Sequence, residues 1–155
     1  LSSLREIGLT YNAQRAFILE FHNSYQNLSG TPFAKYSCTY EWFEKGLTPM
    51  QFKCIDLPFS SLSNVVSTLL KSKHQQIIYD DMKKFEMACP GLYSILKDDK
   101  TKQIIYTSMY DKNNILIGLL VLEHHHTPSK INLNQLHIKA AELTSILNLR
   151  YKYLK

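Results

Sequence analysis

The most apolar stretch of the chain is Ile115 to Leu122, Ile-Leu-Ile-Gly-Leu-Leu-Val-Leu, where both alternating sets of positions are hydrophobic. A strand with that pattern is covered on both faces. A second β-type run ends at Tyr110, and Asp111-Lys112-Asn113-Asn114 between them tolerates left-handed turn conformations. Strands at 103–110 and 115–124 are therefore predicted to form a hairpin. Gly118 inside the second strand predicts a bulge or a close backbone approach.

Upstream, Leu1, Leu4 and Ile7 give a short helical period that Gly8 is expected to end. Arg15 to His22 alternates, with Phe17, Leu19 and Phe21 on one face and Ala16, Ile18, Glu20 and His22 on the other. After a polar turn region, Asn23 to Thr31, a second strand runs from Phe33 to Trp42. There Tyr36, Cys38, Tyr40 and Trp42 oppose Lys35, Ser37, Thr39 and Glu41. Pairing these strands places Glu20 near Ser37 and His22 near Lys35. A one-residue slip would invert that arrangement.

Gly46 to Phe59 has no period and reads as a structured loop crossing the sheet. Ser60 or Ser61 then caps a helix with Leu62, Val65, Val66, Leu69 and Leu70 inward. A strand follows at Gln76 to Tyr79. Asp80 or Asp81 caps a helix carrying Met82, Phe85, Ala88 and Cys89, which Pro90-Gly91 breaks, and Leu92 to Leu96 adds a turn. Asn132 and Gln135 stand in capping-box spacing before a last helix. Its core stripe is Leu133, Leu136, Ala140, Leu143 and Leu147, with Ile138, Ile146, Leu149 and Tyr153 as a second apolar flank. The order predicts one α+β domain spanning 1–155. Its five- or six-stranded, mainly antiparallel sheet carries the terminal helices on one face and the loop and middle helices on the other. The strands at 15–22 and 115–124 are expected to be central neighbours.

Composition narrows the function classes. A net charge of +5 is carried by scattered lysines with no basic stripe, which argues against nucleic-acid binding. Cys38, Cys54 and Cys89 lack metal-site or disulfide-framework spacing, so reduced thiols and a cytoplasmic location are expected. Asn27-Leu28-Ser29 is a glycosylation sequon only if the chain is secreted. The chain opens at Leu1 without methionine and is expected to be a fragment, with any membrane anchor lying upstream.

Asp-Lys-Asn-Asn-Ile-Leu-Ile-Gly-Leu-Leu-Val-Leu before a long terminal helix resembles the closing half of a GAF domain, a small-molecule sensor module. Asn12 to Ile18 resembles its entry to the first strand. Phe21-His22-Asn23, Pro32-Phe33-x-Lys35 and Cys38-Thr39-Tyr40-Glu41 resemble a GAF-like group encoded by bacteriophages and their hosts. The resemblance implies a ligand-sensing or protein-interaction module of a larger protein. It implies signal output through the terminal helix; no cofactor is assigned. The chain lacks the Asn-Lys-x-Phe-Asp pattern of cyclic-nucleotide sites, the cysteine spacing of GAF-fold methionine sulfoxide reductases and an evident bilin-attachment cysteine.

Glu20, His22, Ser37, Thr39 and Glu41 are the candidate ligand-binding set, because polar side chains on a covered face need partners. Their alternative is internal pairing, Glu20 or Glu41 with Lys35 or Arg15 and His22 with loop backbone. No catalytic or metal residues are assigned. Cys38 lies on the face opposite His22, which disfavours a Cys-His pair. His124-His125-His126 point alternately apart along an extended segment and would need a neighbouring chain to complete a metal site. Tyr36, Tyr40, Trp42, Phe43 and Phe52 could wall a planar ligand, though core packing explains them as well. A small thiol-dependent redox enzyme at Cys54 or Cys89, or a purely structural assembly domain, are the alternatives. The flank of the last helix, with Leu1 and Leu4, predicts a homodimer.

Overall fold

A computed structural model describes residues 2–22, 34–73, 75–126 and 131–153, with side chains to 147. The predicted turn region Asn23 to Thr31, the sequon, Leu1, Phe33 and the side chains of Leu149 and Tyr153 lie outside this set.

The strands are β1 (Arg15–His22), β2 (Lys35–Phe43), β3 (Leu57–Pro58), β4 (Gln76–Tyr79), β5 (Gln103–Tyr110) and β6 (Leu116–His124). They form one six-stranded sheet in the order β3-β2-β1-β6-β5-β4, every neighbouring pair antiparallel. The two most apolar strands, β1 and β6, are central, as expected. The helices are α1 (Ser2–Thr10), α2 (Ser63–Lys71), α3 (Met82–Ala88), α4 (Pro90–Leu96) and α5 (Leu133–Tyr153). Among the described residues no helix is long and apolar enough to cross a membrane.

The sheet separates two cores. On one face, Leu4 and Ile7 of α1 and Leu136, Ala140, Leu143 and Leu147 of α5 pack on Ala16, Ile18, Ile105, Leu120 and Leu122. On the other, Leu62, Val65, Leu69, Phe85 and Leu92 meet Phe17, Leu19, Tyr36, Tyr106 and Val121. Each large aliphatic buried this way contributes roughly 1.5–3 kcal/mol.

Local chemistry explains the joints. In the β5–β6 turn the Asp111 carboxylate accepts from Asn113 N at 2.8 Å and Ile115 N at 3.0 Å, while Asn114 takes a φ of 60°. Asp81 caps α3 by accepting from Lys83 N, and Asn132 caps α5 by accepting from Gln135 N. Gly118 is a close approach, since a Cβ there would stand 2.5 Å from the Leu19 carbonyl oxygen.

Four expectations change. Gly8 does not end α1; it lies inside the helix, at a position where an added Cβ would run into the Trp42 ring. Residues 59–62 form a 3-10 turn, so Ser60 and Ser61 precede α2 without capping it, and Leu70 falls on its solvent side. The crossing loop contributes the short edge strand β3. In β2 the register steps from Ile18↔Tyr40 to Leu19↔Cys38, leaving Thr39 as a bulge. Tyr36 and Cys38 therefore face the middle helices, while Tyr40 and Trp42 pack on the terminal-helix side.

Candidate functional site

Register and bulge decide where the candidate polar residues stand. Glu20 pairs with Ser37 and His22 with Lys35, as expected from the alternation. Ser37 Oγ accepts from Asp56 N at 2.8 Å and lies 2.8 Å from His22 Nε2. The Asp56 carboxylate is 3.4 Å from that same nitrogen, so serine and aspartate do not flank the ring as a catalytic relay would require. Glu20, His22 and Ser37 thus share one end of the β1–β2 pair. Thr39 is turned aside by the bulge; its carbonyl accepts from Gln51 Nε2 at 3.0 Å. Past the bulge, Glu41 is on the other side of the strand and joins a different cluster.

That cluster is centred on Arg15, whose side chain is 1% exposed. Arg15 Nε donates to Glu123 Oε2 at 2.7 Å, Nη1 to Glu41 Oε2 at 3.2 Å and the Thr48 carbonyl at 3.0 Å, and Nη2 to Asp99 Oδ2 at 3.0 Å. The Phe43 ring covers the guanidinium at 5.7 Å. Glu41 also accepts from the backbone of Met50 and Gln51. The other Glu123 oxygen meets Thr101 Oγ1 and His125 Nε2, each at 2.7 Å. Burial alone would lower the guanidinium's proton affinity. The charge and hydrogen bond of Glu123, with the charges of Asp99 and Glu41, outweigh it and raise the pKa.

This cluster escaped the sequence reading except for the Arg15–Glu41 pair. A signal was present: Arg15 and Glu123 are charges within the two central strands, and adjacency of those strands puts them in register. The consecutive histidines do diverge. His124 Nε2 lies 2.9 Å from the Tyr11 carbonyl, and His125 turns to Glu123.

The three cysteines are free and buried. Although far apart in sequence, they share the core beneath α2–α4. Burial raises all three thiols, that of Cys54 to about 11. Such thiols are poor nucleophiles at neutral pH, and the redox-enzyme alternative is not favoured. The aromatic wall disperses: Tyr36 is in this core, Tyr40 and Trp42 are across the sheet, Phe43 covers Arg15 and Phe52 is 82% exposed.

Between α1 and α5 runs a groove enclosing about 100 Å³, lined by Ile7, Thr10, Tyr11, Lys139, Glu142 and Ile146 among others. Beside it, Ile138 is 57% and Ile146 37% exposed. Leu4, expected at the edge of this patch, is fully buried under the helices.

The sequence matches no family model and no curated protein. Its fold does have solved counterparts. The photoproduct state of GAF3 from a Synechocystis sp. PCC6803 protein superposes at a TM-score of 0.67, with 12% identity over 99% of this chain and 96% of that one. The blue-light-absorbing form of a Thermosynechococcus elongatus GAF domain gives 0.60, with 13% identity over 99% and 87%. The chromophore-binding domain of a bacteriophytochrome from R. palustris gives 0.68 at 11% identity over 97% of this chain and 55% of that one. The fold is GAF-like.

Proposed function

We propose that the chain is a non-catalytic GAF-like sensory and interaction module of a larger protein, with α5 as its output element and a second copy of the chain as its partner. The phage association rests on the sequence resemblance alone. The supporting observation is the flank of α5. Ile138, Glu142 and Ile146 follow at intervals of four, so two exposed isoleucines share one helical face beside the α1 groove. A two-fold contact along α5 would remove them from water.

Packing on the sheet's other side agrees. Tyr36, Phe85 and Tyr106, all fully buried, occupy the space between the sheet and α2–α4. A second form of the reading, small-molecule sensing, is favoured by the meeting of His22, Ser37 and Asp56 at the β1–β2 end. Glu20 across the strand pair would add a charge there, whereas Thr39 and Glu41 would act only indirectly.

Light scattering at tens of micromolar tests the interaction reading. The wild type should be dimeric and Ile138→Glu monomeric with an unchanged melting temperature. A monomer in both cases removes it. Native mass spectrometry of the purified protein tests sensing: a retained small molecule, lost in His22→Ala, would favour it.

A further inference from the structure

Charge does not balance around Arg15. One guanidinium meets the carboxylates of Glu41, Asp99 and Glu123, an excess of two negative charges. Glu123 and Glu41 are almost wholly buried. Uncompensated charge away from water is costly, and structures resolve it by protonation, pairing or a metal. Lys97 lines the adjoining cleft of about 70 Å³ with Asp99 and Thr101 but, among the described residues, makes no ion pair with these carboxylates. A protonated His125 would offset only one of the two charges.

We propose that Asp99, Glu123 and His125 bind a divalent transition-metal ion. One oxygen of each carboxylate and one ring nitrogen of His125 lie within 4.8 Å of one another. A nitrogen and two carboxylate oxygens suit zinc, with manganese a weaker match. Arg15 holds Glu123 by Oε2 and Asp99 by Oδ2. It leaves Asp99 Oδ1 for the ion. Glu123 Oε1, which also accepts from Thr101 Oγ1, would exchange its 2.7 Å contact with His125 Nε2 for a shared bond to the metal. Arg15 fixes the orientation of both carboxylates, as outer partners of metal sites do. Two charges on the ion, one on Arg15 and three carboxylates sum to zero. For bonds of ~2.0–2.2 Å Asp99 must draw in, and the 2.7 Å contact between His125 and Glu123 must open slightly. Asp99, the most exposed of the three and on the α4–β5 connection, is the ligand placed to move. The bound ion would pin that connection to the end of β6. The histidine run therefore needs no neighbouring chain, because Asp99 and Glu123 of the same chain complete the set.

The test is calorimetric titration of zinc into chelator-treated wild type, His125→Ala, Asp99→Asn and, as a control, His126→Ala. The wild type and His126→Ala should bind one ion per chain. His125→Ala and Asp99→Asn should bind at least about tenfold more weakly, a loss that even outer-shell changes produce. At a hundredfold excess over the dissociation constant, zinc should raise the wild-type melting temperature by about 5–10 °C. His125 is 12% exposed and meets the buried Glu123 carboxylate, so its removal should also lower the zinc-free melting temperature. The zinc-induced rise above each variant's own starting value is the readout. Absence of binding up to millimolar zinc, undiminished binding by His125→Ala, or binding lost only in His126→Ala each overturns the proposal.

Discussion

Individual side chains carry sharply different loads. Gly118 has no room for a methyl group because the obstacle is backbone, the Leu19 carbonyl at 2.5 Å from an added Cβ. Gly118→Ala should lose about 1–3 kcal/mol by forcing β6 away from β1, read as a lower denaturant midpoint. Arg15→Met leaves three carboxylates facing one another, and should cost roughly 3–5 kcal/mol. Adding Glu123→Gln should return part of that loss in a double-mutant cycle, whereas strict additivity would show the pair uncoupled. The buried thiols set an alkaline limit. Burial pushes the Cys54 thiol from its ordinary value of 9.0 up to about 11. The unfolded chain therefore releases its proton first as pH rises. The contribution is intact below pH 9 and is lost between the two values. Urea midpoints at pH 8, 9 and 10.5 should fall in that order, and less steeply for Cys54→Ala.

At the level of elements, legibility followed period and capping chemistry. α5, α3, the β5–β6 turn and the adjacency of β1 and β6 could be read because alternation, helical spacing and Asp or Asn side chains act locally. The β2 bulge could not. Its cause is tertiary: Tyr40 and Trp42 pack on the terminal-helix face while Tyr36 and Cys38 fill the other core, so one strand serves both faces in turn. That single displaced residue, Thr39, divided the candidate set and sent Glu41 to Arg15. Gly8 misled for a similar reason. Nothing in its neighbours announces that a ring 34 residues away needs the space. The Arg15 cluster draws on β1, β2, β6 and two connections, so only register knowledge could have assembled it.

For the molecule as a whole, the sheet is a partition between two cores, and its faces answer to different helices. The terminal-helix face bears the groove and the exposed isoleucines of α5. The opposite face bears the thiols and buried tyrosines. α1 is joined to this architecture at a notable point, the contact between Gly8 and Trp42, and Trp42 is the only tryptophan in the sequence. The chain therefore contains a single indole fluorophore at the seat of its first helix. Its emission should shift to longer wavelength when α1 lifts, independently of global unfolding followed by far-ultraviolet dichroism. Gly8→Val should produce that shift with the rest of the secondary structure retained. Any event that loosens or tightens the seat of α1 would be visible in this native optical signal, without an added label.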